Sequence, residues 1–359
     1  MKTRTLGKTG LDVGIVGLGT EYLHQRSRET VVSVVGEAIE RGVNYMDFVF
    51  TFPEYLDHLG AALKGQRDKV IITGHLGAAE KDGHYRKTRD VKECEELFSE
   101  MLSRLHTEYI DVLFLQFVDE EDDYERVMGS GGLLELARRF RREGKAGFIG
   151  LSGHSVPVAL KAVKSGHIDV LMFPINLRSD AVLEEKELFN VCASRGVGLV
   201  AMKPFAGGKL FQKEEARSIT SVQCISYALS QIGVSTVVPG VKDLDELEAA
   251  LHFLDATDEE KDFSSILPEF QQYVKGECVY CNHCLPCPAV IDIGQTIRLV
   301  DTAQHGVSED LRTDYQALSV KASACIECGS CTTRCPFEVD VISKMQRAVK
   351  LFERSDVPV

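Results

Sequence analysis

The sequence predicts an α/β protein: a TIM (β/α)8 barrel followed by a small cysteine-rich module. Two observations predict the barrel and one the module. Eight short β-rich runs alternate with segments of helical period across residues 12–254. Glycines stand where the helical segments end. Eight of the eleven cysteines fall between positions 278 and 335.

The β-rich runs are 13–19, 43–48, 69–73, 111–117, 146–152, 169–175, 198–204 and 234–240. Most are apolar at successive residues, as strands buried on both faces are. Residues 29–41 carry Val31, Val32, Val34, Val35, Ala38 and Ile39 at helical spacing, and residues 91–106 do the same with Cys94, Leu97, Met101, Leu102 and Leu105. Gly42, Gly144 and Gly196 follow last helical turns, where a left-handed cap favours glycine. Eight βα units in about 240 residues match the size of a TIM barrel, whereas a doubly wound open sheet rarely needs eight strands. The expected division is a barrel over 1–254, a helical linker over 255–277, the cysteine module over 278–340, and a C-terminal helix and tail over 341–359.

The 359 residues are 44% hydrophobic and 26% charged, an ordinary globular composition. A net charge of −13 argues against a nucleic-acid partner, which needs clustered Lys and Arg. No apolar run approaches the ~20 residues needed to span a bilayer, so no membrane partner is expected. The opening MKTRTLGKTG is too polar for a signal peptide, so the expected location is cytoplasmic.

In a chain of that location, clustered cysteines read as metal ligands before disulfides. The first run is Cys278, Cys281, Cys284 and Cys287, followed by Pro288; the second is Cys325, Cys328, Cys331 and Cys335, followed by Pro336. The second has the C-x2-C-x2-C-x3-C-P spacing of bacterial ferredoxins, and the first is one residue short before its last cysteine. Two-residue gaps let three thiolates meet one cubane while the fourth reaches the other cluster. The expected sets are Cys278, Cys281, Cys284 and Cys335 for one [4Fe–4S] centre, and Cys325, Cys328, Cys331 and Cys287 for the other. Structural zinc is the alternative, but zinc needs only two C-x2-C pairs per site, and a third cysteine at the same spacing is then unexplained. Cys94, Cys192 and Cys224 fall within helical patterns and read as buried small hydrophobes.

TIM-barrel active sites lie at the C-terminal ends of the strands. Those ends are Asp47, the 73–75 turn, Gln116, Ser152, Asn176, Lys203 and Pro239–Gly240. The phrases GVNYMD, EYIDVLFLQ, GKAGFIGLSGHS, GVGLVAMKPFAGGKL and VSTVVPGVKDLDELEAAL occur in this order, after an opening hairpin and GLGT. Over residues 1 to about 254 this resembles the aldo-keto reductases. The cysteine module is similar to that of the iron–sulfur branch of that family, short first motif included.

The resemblance implies carbonyl reduction with NAD(P)H by a set of Asp, Tyr, Lys and His. Only the Asp, at Asp47, matches. Phe52 stands at the tyrosine position, His75 at the lysine position and Gln116 at the histidine position. Phe52 has no proton to give, and losing a general acid typically costs ~10²–10⁴ in rate, so ordinary carbonyl reduction is not expected. Tyr55 substitutes only if the loop shifts by a turn. His75 reads equally as a proton donor beside Asp47 or as a core histidine filling the lysine's space. Gln116 can only hydrogen-bond.

Of the family's nicotinamide-holding Ser, Asn and Gln, only Ser152 remains; Gly153 and Met172 replace the others. The resemblance otherwise implies nucleotide contacts from Asn176, Lys203, Pro204, Phe205, Gly207, Gly208, Leu210, Gly240, Lys242 and Glu248, with Lys242 facing a 2′-phosphate. His24, His84 and Tyr85, and the acidic run 119–123, read as solvated loops.

The function expected is an iron–sulfur-containing, NAD(P)-linked oxidoreductase that acts on a small-molecule substrate and exchanges electrons with a ferredoxin- or flavodoxin-type protein. Two rivals stand beside it. In one, the clusters or an added flavin drive reduction without nicotinamide hydride. In the other, a silent barrel belongs to an electron-transfer or regulatory subunit.

Overall fold

A computed structural model describes the chain except residues 82–83, 178–182, 212–218, 265, 267–275, 277, 279–283, 304–306, 308, 336–337 and 354–359. The chain divides into two units, residues 1–79 with 88–272, and residues 80–87 with 273–359.

The first unit opens with a hairpin of β1 (Thr3–Thr5) and β2 (Asp12–Gly14), paired antiparallel. The barrel strands follow: β3 (Leu18–Gly19), β4 (Tyr45–Asp47) and β5 (Ile71–Leu76). After β5 in the sequence comes a two-stranded sheet of β6 (Ala78–Lys81) and β7 (His84–Lys87), most of which belongs to the second unit. The barrel resumes with β8 (Ile110–Leu115), β9 (Ala146–Ser152), β10 (Val170–Pro174), β11 (Gly198–Met202) and β12 (Val234–Val238). The eight pair in parallel in the order β3-β4-β5-β8-β9-β10-β11-β12. Parallel bridges Val16–Val237 and Gly19–Gly240 join the last strand to the first.

All eight expected strands are present, but the run 13–19 serves two purposes. Its first residues complete the opening hairpin, and only its end joins the barrel. Inside the barrel Tyr45, Val112, Phe114, Val170, Met172, Val200 and Val238 pack with Leu6 and Val13 of the opening hairpin. Glycine is required at position 150 because Phe114 fills its side of the interior; a Cβ there would lie 2.4 Å from the ring.

The helices Arg28–Glu40 and Val91–Arg104 match the expected segments. Ser27 and Asp90 cap them by accepting from the amides of Thr30 and Glu93. Gly42, Gly144 and Gly196 take φ of +87°, +75° and +65° after their helices. Of the expected linker over 255–277, the described part holds one helical turn, Asp258–Lys261; most of the rest lies outside the described residues.

In the second unit the helices are Ile293–Thr302, Glu309–Ala317, Ser330–Arg334 and Val341–Ala348, the last extending through Val349–Glu353. Ile291, Ile293, Ile297, Val300, Tyr315, Val339, Val341, Met345 and Phe352 form its core. An internal repeat is visible. After Cys287 and after Cys335 the chain turns back, with Val290 N–H donating to Cys287 O at 2.9 Å and Glu338 N–H to Cys335 O at 3.2 Å. Val290 and Glu338 both have left-handed φ, +58° and +52°. Two residues later Asp292 and Asp340 each cap a helix, accepting from Gln295 N–H and Ser343 N–H at 3.0 Å. Among the described residues no helix is long and apolar enough to cross a membrane.

Candidate functional site

At the C-terminal end of β4, the Asp47 carboxylate is buried and accepts two hydrogen bonds on Oδ1. One comes from Thr73 Oγ1 at 2.6 Å, and the other is with His75 Nε2 at 2.8 Å. Strand register explains the meeting: Asp47 pairs with Thr73, and His75 follows on the same inward face two residues on. The His75 ring lies 5.2 Å from Phe114, nearly parallel. Its Nδ1 is buried without a hydrogen-bond partner, as is Oε1 of the buried Gln116.

Phe52 precedes the helix Pro53–Ala62, is 9% exposed, and stacks on His24 with ring centroids 4.0 Å apart. Phe50 and Tyr55 complete this aromatic group. Tyr55 does not reach into the tyrosine position. It is buried in the first turn of that helix, with its hydroxyl hydrogen-bonded to Thr20 Oγ1. Thr20 Oγ1 donates its own proton to Asp47 O at 2.6 Å, so Tyr55 is the donor to Thr20. Burial pushes the Tyr55 phenol far above its usual range.

The acidic run 119–123 is solvated only in its middle: Glu120, Glu121 and Asp122 are exposed, a helix begins at Glu121, and the two ends of the run turn inward. Asp119 is buried and accepts from the amides of His154 and Ser155 ahead of the helix Val156–Ser165. Asp123 forms a bidentate pair with Arg89, at 2.8 and 2.7 Å, with both side chains largely buried. Arg89 also donates to the carbonyls of Gly77, Gln116 and Phe117 at 3.2, 2.9 and 3.1 Å. It thereby ties together the ends of β5 and β8, the strands that carry His75 and Gln116. Sequence reading missed Arg89 because its partner sits in a run of like charges that looks solvated. His84 and Tyr85 are likewise strand residues of β7 rather than loop, and His24 is half-buried.

On the other side of the mouth Ser152 and Asn176 are buried, and Asn176 Nδ2 donates to Lys203 O at 3.1 Å. Left-handed backbone gathers here: Lys203 has φ +55° and Ala206 +48°, followed by Gly207 at +70° and Gly208 at +84°. Non-glycine residues in this region cost about 1–3 kcal/mol each, and such strain collects at ligand sites. Pro204 and Leu210 are buried in this turn, and the Phe205 ring lies 5.3 Å from Phe211. Lys242 pairs with Glu246 at 2.6 Å, and Glu248 with Arg41 at 2.7 Å. Gly240 has a packing reason of its own, since a Cβ there would meet the Tyr22 ring at 2.7 Å.

In the second unit, Cys287, Cys325, Cys328 and Cys331 line one space of about 350 Å³, walled by Pro288, Ile291, Ile293, Val341 and Met345. Three thiols come from the second run and one from the first. Among the described residues no three Cys, His, Asp or Glu side chains converge closely enough to hold a single metal ion. The thiols border a shared volume instead, which fits a cluster better than one zinc. Cys278 and Cys284 are buried and Cys335 half-buried in the same apolar unit; Cys281 lies outside the described residues. Arg334, which sequence reading passed over, joins the two runs by donating to Cys284 O at 2.9 Å and Pro286 O at 2.8 Å. Tyr315 braces the entry to the second run, donating to Glu353 at 2.6 Å and accepting from Ala322 N–H at 2.9 Å. The scattered Cys94, Cys192 and Cys224 are fully buried, as expected.

Residues 11–222 match the sequence model of the aldo/keto reductase family. The chain belongs to that family. Residues 277–340 match a 4Fe-4S dicluster domain, so this aldo/keto reductase carries an iron–sulfur domain C-terminal to its barrel in the sequence. It is 24% identical over 287 residues to the L-galactose dehydrogenase of Arabidopsis thaliana, covering 69% of this chain and 86% of that protein. It is 26% identical over 266 residues to an uncharacterized oxidoreductase of Bacillus subtilis, covering 71% and 83%. Among solved structures, an aldo-keto reductase of Bacillus halodurans in its holo form superposes with a TM-score of 0.62 at 22% identity, over 75% of this chain and 96% of that one. A putative aldo-keto reductase of Pseudomonas aeruginosa gives 0.57 at 23%, over 70% and 95%. These likenesses to solved structures cover the barrel fold.

Proposed function

We propose that this aldo/keto reductase is an NAD(P)-linked oxidoreductase carrying two [4Fe–4S] clusters, and that its barrel does not perform ordinary aldehyde or ketone reduction. The observation that carries the reading is the rebuilt site. Phe52 stands where the family has its acid, Tyr55 gives its proton to Thr20, and Asp47 holds a histidine in place of lysine.

The donor set of the second unit suits iron–sulfur clusters. Cys325, Cys328, Cys331 and Cys287 would hold one, and Cys278, Cys281, Cys284 and Cys335 the other. Bound clusters supply single-electron transfer, at potentials near −400 mV in many ferredoxins. The chain's own residues supply the remainder. Asp47 orients His75, and Arg89 fixes the β5 and β8 ends. Ser152, Asn176 and the turn from Lys203 to Leu210 are the nucleotide-binding elements, with Gly240, Lys242 and Glu248 toward the far end of the nucleotide. Electrons would pass to or from a ferredoxin- or flavodoxin-type protein, in the cytoplasm.

A second reading is the silent barrel of an electron-transfer subunit. It draws on Lys242 and Glu248, which already have protein partners. Calorimetric titration of anaerobic, cluster-loaded protein separates the two. Saturable binding of NADPH or NADH is expected; no heat with either nucleotide would favour the silent barrel.

A further inference from the structure

The two thiol runs differ in what stands beside them. They align through the repeat that follows each. Cys287 and Cys335 both precede a proline, Val290 matches Glu338, and Asp292 matches Asp340. Counting back from the fourth cysteine, Arg334 falls at the place of Pro286. The longer gap of the second run thus ends in a cation where the shorter gap of the first ends in a proline.

Hydrogen bonds fix where that cation lies. Arg334 Nη2 donates to Cys284 O and Pro286 O at 2.9 and 2.8 Å, and Nε donates to Ser330 O at 3.1 Å. The half-buried side chain lines the space bordered by Cys287, Cys325, Cys328 and Cys331; of the described cysteines only those four line it. Two further differences favour the same space. Ser330 Oγ lies 3.5 Å from Cys328 Sγ, and a thiolate ligand, having no proton, can only accept from that hydroxyl. Cys328 is also exposed, whereas Cys278 and Cys284 are each 8% exposed. His283, at the place of Ser330 in the first run, lies outside the described residues. Reduction makes a cluster and its thiolates one charge more negative. A nearby cation, a hydrogen bond to a ligand sulfur and contact with water all favour the more negative form.

Resting on the two-cluster reading above, we propose that Arg334 and Ser330 set the order of reduction. The centre on Cys325, Cys328, Cys331 and Cys287 has the higher potential and takes the first electron. A low-potential one-electron donor loses that electron, and no bond forms or breaks. Arg334 acts through its charge rather than as a ligand.

The test is an anaerobic redox titration of the full chain with dithionite, read by electron paramagnetic resonance, once iron analysis has shown about eight irons per chain. The signal missing from Cys287→Ser identifies the second run's centre. In wild type that signal should have the higher of the two midpoints. Arg334→Gln should make its reduction about tenfold less favourable, a downward shift of about 59 mV, and move the other signal less. Arg334→Lys keeps the charge and should restore most of the midpoint, which a purely structural role would not require. Ser330→Ala should lower the same midpoint about threefold with iron content unchanged, and it decides the matter if Arg334→Gln loses iron. The higher midpoint on the other signal, equal shifts of both signals, Arg334→Lys as low as Arg334→Gln, or an unmoved midpoint in Ser330→Ala overturns the proposal and leaves the two clusters standing. Zinc, or about four irons in wild type, overturns both.

Discussion

The barrel mouth and the thiol unit hold their chemistry in different ways. At the barrel mouth each functional group stands on a different strand. Asp47, His75 and Gln116 come from β4, β5 and beyond the end of β8, and hydrogen bonds across strands bring the first two together. One group can be exchanged without disturbing the others, because the barrel itself is held by the packing beneath. In the thiol unit the groups come from two short runs, and the spacing within a run is itself the geometry. Changing one position there changes a ligand set. A barrel site of this kind can change residue by residue, whereas the second thiol run keeps the full motif spacing and the first departs from it by a single residue.

The largest expected effect comes from reversing the divergence. Phe52→Tyr combined with His75→Lys should raise NADPH-dependent reduction of simple aldehydes by ~10²–10⁴-fold over wild type. Phe52→Tyr alone should help little, since a phenol near pKa ~10 needs the lysine to lower it. Steady-state assays under anaerobic conditions read both. A wild-type protein turning aldehydes over at ~1–10³ per second would break the comparison at its barrel side.

Next in size is Arg89→Met. It removes the largely buried ion pair with Asp123 and takes a donor from the carbonyls of Gly77, Gln116 and Phe117. Breaking a buried pair costs about 3–5 kcal/mol, which denaturant unfolding should show. A change under about 0.5 kcal/mol would mean that the strand ends are held by something else. Smaller still is Lys242→Ala. It should weaken NADPH by a few fold, about 0.5–1 kcal/mol, and NADH less, in calorimetric titrations, because the lysine is half-exposed and shared with Glu246. Equal loss for both nucleotides would remove Lys242 from the 2′-phosphate.

The smallest effect is chemical. Burial pushes the Cys94 thiol up to about 11 and the Cys192 thiol up to about 12. Both stay protonated at pH 8 and should resist iodoacetamide until the protein unfolds, as mass spectrometry of the labelled peptides would show. Labelling in native protein at pH 8 would mean that these helices open.

The regions also differ in how far the sequence discloses them. Period alone placed the eight strands, because both faces of each are buried and successive residues are apolar. Spacing alone placed the cysteines. Pairing across strands is not written locally, so the Arg89–Asp123 bridge and the Tyr55–Thr20 bond needed the structure, whereas a His75 beside Asp47 is one of two readings of the sequence. The hairpin of β6 and β7 was hidden for another reason. It lies inside a βα connection, where AAEK and HYRK carry little apolar alternation. Charge misled at Asp119 and Asp123, the two ends of an acidic run whose middle is solvated, because Arg89 and two backbone amides face them.

We propose two clusters with crossed cysteine ligands, Cys287 of the first run completing the cluster of the second. The direct measurement is iron content of anaerobically prepared wild type and Cys287→Ser, with electron paramagnetic resonance of the reduced proteins. The expected result is about eight irons per wild-type chain and about four in the variant, with only one cluster signal left. Zinc in place of iron, about four irons in wild type, or an unchanged second cluster in Cys287→Ser would contradict it.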